Sequence, residues 1–218
     1  MFLSLLGKNG LRGTEISFSD SPEGFFIPVC NNPLTPLDKS CIDGTLFVED
    51  GRPYMVYSHD WPDNYIEELG VYIGEIWAIE LNEDLNDSVG EPFVLFLSVD
   101  SNYSAKAATH DRWEGKDILR YGSDAPFINR LKSGQLFLTW SPIPGNNYVV
   151  LGAVADNIKG PWIHCETPVF DNNGGHAMFF TDKDGSMKMC IHCPERPPCE
   201  RALVLNAIET QNGIEVTN

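Results

Sequence analysis

Apolar and polar positions in residues 42–61, IDGTLFVEDGRPYMVYSHDW, follow the order of a strand, a glycine turn and a second strand, with polar and aromatic residues at the exit. Two later segments repeat that order. Residues 123–141, SDAPFINRLKSGQLFLTWS, and 174–192, GGHAMFFTDKDGSMKMCIH, complete a set in which a turn glycine (Gly51, Gly134, Gly185) stands roughly nine residues after a polar opener, Asp43, Asp124 or His176. GEIWAIEL and PFVLFL extend the first hairpin to four strands, YVVLGAV extends the second, and ALVLNAIE with GIEVTN extends the third.

The pattern predicts an all-β chain of small sheets, about three and a half units of a β-propeller. Residues 1–29 read as the end of one unit, 42–97 as a full unit, 117–170 as the next and 174–218 as the last, in a single partial propeller domain. In a radial arrangement the first strand of each sheet lies nearest the axis, so the three polar openers are expected to converge on one end of it. Residues 98–121 break the pattern: they are polar and carry Tyr103, His110, Trp113 and Lys116. A loop of that length is functional or mobile in a compact domain, which leaves a rim over a ligand cleft or an uninformative insertion as its two readings.

Composition narrows the partners. A net charge of -16 argues against a phosphate-backbone ligand, so no nucleic acid is expected, and it suits a neutral ligand or a cation. The apolar start MFLSLL is too short for a membrane span and lacks the marks of a signal peptide, so no membrane is expected and localisation is left open. Cys190, His192, Cys193 and Cys199 invite a zinc reading, but Cys190 and His192 share one strand face while Cys193 falls on the other, which favours Cys190 as an apolar filler.

Several segments in register, RGTEISFSDSPEGFF, PLTPLDKSCIDGTLFVEDGRPYMVYSHDW, GEIWAIELNEDL, SDAPFINRLKSGQLFLTWS, GPW and NNGGHAMFF, together resemble glycoside hydrolase family 43. Members of that family are five-bladed β-propellers that cleave arabinose- and xylose-containing polysaccharides with inversion. The resemblance implies an incomplete five-bladed propeller and a carbohydrate partner, arabinan, xylan or a related oligosaccharide. It places Asp124 at the general acid and Asp43 at the aspartate that tunes and orients the acid. The family's general base stands in an Asp-Pro motif of a first blade without counterpart here, so the resemblance implies an N-terminally truncated member that is expected to be inactive by itself. A non-catalytic carbohydrate-binding propeller is the alternative, and open blade edges imply self-association. No cofactor is required; His176, matching the histidine of the family's Gly-His motif, is placed at the axis as a substrate contact or beside a structural calcium, against a plain core histidine. Two departures stand out: the acid is Asp124-Ala125-Pro126 where the family has glutamate before Gly-Pro, and the tuner is Asp43-Gly44 where it has Asp-Pro.

Physical chemistry assigns the same roles. An inverting pair needs a protonated acid and a base about 6.5 to 9.5 Å away that activates water. A second carboxylate about 5 Å from the acid, at an effective dielectric near 20, disfavours its ionisation by about 3 kcal/mol. His59, Trp61 and Trp140 end the second strands of their hairpins, where they are open either to a sugar-platform role or to packing between blades.

Overall fold

The computed structural model describes residues 1–106, 108–143, 145 and 147–217. Ala107, Pro144, Asn146 and Asn218, which fall in the expected rim, the third unit and the last unit, lie outside the described residues.

Strands β1 (Phe2–Leu6), β2 (Arg12–Phe18) and β3 (Ile27–Pro28) form the first sheet. The second opens with β4 (Cys41–Glu49) and β5 (Arg52–His59); the chain then detours through β6 (Tyr65–Ile66) and β7 (Val71–Ile73) before β8 (Glu75–Leu81) and β9 (Ser88–Leu97) complete it. A second detour makes the hairpin β10 (Thr109–Trp113) and β11 (Lys116–Tyr121). The third sheet is β12 (Asp124–Arg130), β13 (Leu136–Ser141), β14 (Leu151–Ala155) and β15 (Ile163–His164). The fourth is β16 (Gly175–Thr181), β17 (Met187–Cys193), β18 (Arg201–Thr210) and β19 (Gly213–Thr217).

Consecutive sheets pack face to face, each contributing half of a shared apolar layer. Met55 and Tyr57 of the second sheet meet Ile16 of the first, Phe47, Val56 and Phe96 meet Leu138 and Trp140 of the third, and Phe137 and Val150 meet Phe179 and Met189 of the fourth. On the far face of the fourth sheet Met178, Phe180, Val204 and Ile208 are exposed. Among the described residues no helix is long and apolar enough to cross a membrane.

Each of β4, β12 and β16 begins with a bulge, between Ile42 and Thr45, Asp124 and Phe127, and Gly175 and Met178. At each bulge one residue that is not glycine adopts a left-handed backbone: Asp43 (φ 57°), Ala125 (φ 50°) and His176 (φ 62°). A bulge bends a strand and re-aims its side chains, so three equivalent bulges turn the inner strand ends toward one place. The openers do not occupy one register position, however. Asp124 pairs with Ser141 just before the bulge, in the register place of Ile42 and Gly175, and Ala125 holds the place of Asp43 and His176.

Residues 98–121 are not a loop throughout. Glu114 (φ 48°) and Gly115 (φ 79°) make a two-residue turn of the left-handed kind that suits strand twist, which brings Trp113 opposite Lys116. β11 then runs parallel to β7, so the two detours join into one added sheet, β10-β11-β7-β6.

Candidate active site

At the bulged ends of β4 and β12 lies a cleft of about 590 Å³ whose walls include Asp43, Asp60, Asp124, Arg12, Arg120 and Trp61. Asp43 accepts a hydrogen bond from the backbone N–H of Ala125 at 3.2 Å, and its own N–H donates to Ser4 Oγ at 2.8 Å. Thr45 Oγ1 donates to the Pro126 carbonyl at 2.7 Å, and the hydroxyls of Ser58 and Ser123 meet at 2.8 Å. These ties lock the second and third sheets together beneath the carboxylates.

Burial, first, and then the charges of Asp43 and Asp60 hold Asp124 well above the usual carboxylate range, against the lowering pull of Arg120 and of Tyr148. Tyr148 donates its hydroxyl to Asp124 Oδ2 at 3.3 Å. Burial and the Asp124, Asp43 and Glu195 charges raise Tyr148 as well, so it stays a phenol and a donor. Its ring stacks on His192 at 5.3 Å, and a side chain at Gly175 would collide with it, so the glycine lets β16 close on the tyrosine.

Asp60 is the residue that reading the chain missed. It is only 5% exposed, caps the turn Trp61–Asp63 by accepting from the Trp61 N–H at 2.9 Å, and lies 3.7 Å from an Arg12 guanidinium nitrogen. Burial pushes it up to about 6, with Arg12 pulling the other way. The usable signal was strand alternation in YSHDW: side chains at successive positions face opposite ways, so His59 and Asp60 could not both enter the cleft. Arg12, Arg120, Trp113 and Tyr148 carried no motif of their own.

Two expected platforms are corrected by the structure. His59 is 3% exposed and faces away from the cleft, its Nδ1 2.9 Å from Glu75 Oε2 and its Nε2 3.2 Å from Asp63 Oδ1, an ion contact outside hydrogen-bond geometry. Burial lowers its pKa, yet the two carboxylates outweigh that and hold it at about 9. Trp140 is fully buried, 5.5 Å from Phe96 and 5.9 Å from His164 by ring centroids, because its strand is covered on both faces. Trp61 does line the cleft, with the Arg120 guanidinium 4.8 Å over its ring.

His176 lies beside the cleft in an apolar axial cavity of about 630 Å³ bounded by the starts of β1, β4, β12 and β16. Its Nδ1 is 4.0 Å from Asp43 Oδ2, and its backbone N–H donates to Ser141 Oγ at 2.9 Å. Among the described residues no group of three or more His, Cys, Asp or Glu side chains is disposed to hold a metal, and Asp43 Oδ2 already accepts from Ala125. His176 and Asp43 offer two side-chain donors there, and no catalytic step is routed through a metal.

Face-to-face sheets whose inner strand ends meet at a carboxylate cleft define a β-propeller. The family model described as glycosyl hydrolases family 43 matches residues 7–214, and the chain belongs to that family. An endo-arabinase from Bacteroides thetaiotaomicron is 30% identical with a TM-score of 0.81, over 97% of this chain and 71% of that one. A thermostable family-43 glycoside hydrolase matches at 23% identity and TM-score 0.81, over 100% and 70% of the two chains. An alpha-L-arabinofuranosidase from Lactobacillus brevis is similar in fold, at 19% identity and TM-score 0.66, over 97% and 67%. A search of the curated proteins finds no match.

Proposed function

We propose that the chain is a glycoside hydrolase acting on arabinose- or xylose-containing polysaccharides, with Asp124 as general acid in an inverting mechanism. The observation that carries this reading is the crowding of Asp124 with Asp43 and Asp60 in one cleft, which keeps the Asp124 proton available for a leaving glycosidic oxygen. Asp43 is the positioning group: its hydrogen bond to the Ala125 N–H fixes the backbone next to the acid while its charge opposes the acid's ionisation. Trp61 offers apolar surface to a sugar ring, and Arg12 and Arg120 offer donors to its hydroxyls.

On this reading the chain alone holds the acid half of the reaction, and the water-activating carboxylate is contributed from outside this sequence. Losing such a group costs a factor of about 10² to 10⁴, so slow turnover with retained sugar binding is expected. Self-association through the uncovered face bearing Met178 and Phe180 belongs to the same reading. The test is release of the aryl group from aryl arabinofuranosides and xylosides by the chain and by Asp124→Asn, with the anomer of the first product followed by NMR. Residual turnover that disappears in the variant, with an inverted anomer, supports the proposal. Turnover unchanged by Asp124→Asn, or a retained anomer, overturns it, and sugar binding with no turnover at all leaves a carbohydrate-binding propeller.

A further inference from the structure

The added sheet β10-β11-β7-β6 is not one of the stacked sheets; it joins two detours far apart in the chain, and its hairpin tip stands in the wall of the carboxylate cleft. Few of its side chains are buried, Val71, Ile73 and Thr109 among them, so the core does not account for it. One of its aromatic residues, Trp113, lines the cleft instead, beside Trp61 of the neighbouring turn. Trp61 lies 5.2 Å from Trp113 with ring planes at 75°, and 5.9 Å from Tyr72. Arg120 fixes the arrangement: its guanidinium sits over Trp61, and its Nε donates to Asp111 Oδ2 at 3.0 Å across the hairpin.

Trp61 therefore has its ring partly covered by a cation, whereas Trp113 is 41% exposed and lines the same cleft. A large aromatic left open beside polar groups in a cleft, on a hairpin held by an ion pair and a parallel strand, is a preorganised stacking surface. Its partner must offer an apolar face and hydroxyls without charge, in a cleft already crowded with carboxylates, and a sugar ring fits that description.

We propose that Trp113 is a binding residue for a sugar unit adjoining the one whose bond faces Asp124, so that the added sheet makes the cleft select oligosaccharides over single sugars. The inference rests on the carbohydrate reading of the cleft and specifies an outer subsite within it. The hairpin tip gives that subsite, and Asp124, on a different sheet, takes no part in it.

Isothermal titration of the full chain with arabinopentaose and xylopentaose, and separately with arabinose and xylose, tests the subsite. At least one pentasaccharide is expected to bind more tightly than its monosaccharide. Trp113→Ala should weaken that pentasaccharide roughly tenfold, or about 1.4 kcal/mol, and leave the monosaccharide unchanged. Trp113→Phe should retain most of the affinity, and a thermal melt of each variant separates lost binding from lost folding. Wild-type affinity in a folded Trp113→Ala, equal losses for both sugars, or no preference for either pentasaccharide overturns the inference. Hydrolysis with Asp124→Asn is read separately: Trp113-dependent binding without turnover sinks the reaction and keeps the subsite, whereas turnover indifferent to Trp113 does the reverse.

Discussion

The carboxylate of Asp43 accepts the backbone N–H of Ala125 across the junction of two sheets, at 3.2 Å. Ala125 follows Asp124 directly and has a left-handed backbone, a conformation that costs a residue with a Cβ roughly 1 kcal/mol. One side chain thus steadies a strained bulge and sets the charge environment of the neighbouring acid.

Removing that charge should lower the acid's pKa without ionising it outright, because burial is the larger cause of its elevation. In Asp43→Asn, the carboxyl carbon of Asp124, followed by NMR, is expected to titrate at a lower pH than in the wild type. An unchanged midpoint would mean that Asp43 acts only through the Ala125 hydrogen bond.

Asp60 makes a separate prediction about stability. Its folded pKa of about 6 lies above the ordinary carboxylate value, so the folded state holds its proton more tightly than the unfolded chain. The associated stability is fully present below about pH 4 and is lost as pH rises through 6. Asp60→Asn should be spared that loss, and between pH 4 and pH 7 urea unfolding of the wild type should fall relative to the variant by on the order of 2 kcal/mol. Parallel pH dependence in the two proteins would remove Asp60 from the account.

The sheets and their order were legible because β4, β12 and β16 carry the same strand, glycine-turn, strand pattern, and the family resemblance followed from motifs in register. The meeting of Asp43 with Asp124 was legible too, as openers of inner strands. Their one-residue offset was not, since a bulge leaves period-two patterning intact on both sides while moving the left-handed residue to Ala125. His59 and Trp140 misled for a different reason. Polar or aromatic residues at a strand end look alike whether the next sheet covers them or solvent reaches them, and that is decided by packing from distant sequence. The hairpin β10–β11 was hidden because its strands are largely solvent-facing and its parallel partner, β7, comes from another detour.

His59 gives the protein a pH-dependent anchor under the cleft. Its pKa is raised to about 9, so its contribution is complete below about pH 6.5 and lost as pH climbs through 9. Asp63 and Glu75 are lowered despite burial by their contacts with His59, so their share is lost only as pH falls through the acid range. His59→Gln should cost about 2 to 4 kcal/mol at pH 6, the scale of a broken buried ion network, and should flatten the stability profile between pH 6.5 and 9. Chemical unfolding across that range measures both effects, and a variant as stable as the wild type at pH 6 would show the contacts to be energetically idle.

Trp140 lies within β13, whereas Trp61 opens the turn that follows β5, and the two should respond to truncation in opposite ways. Trp140 fills the layer between the second and third sheets, and Trp140→Ala should destabilise the protein by about 3 to 5 kcal/mol through the cavity it leaves. Trp61 stands partly exposed in the cleft wall, where Trp61→Ala removes a surface rather than a core. Its stability cost should stay below about 1.5 kcal/mol, mostly from lost packing with Arg120, Tyr72 and Trp113, while its cost in sugar affinity exceeds that of Trp140→Phe. Urea unfolding and sugar titration on the same three variants separate the roles. A Trp140→Phe protein that folds normally but loses sugar binding, beside a Trp61→Ala protein that keeps it, would return Trp140 to the cleft and remove Trp61 from it.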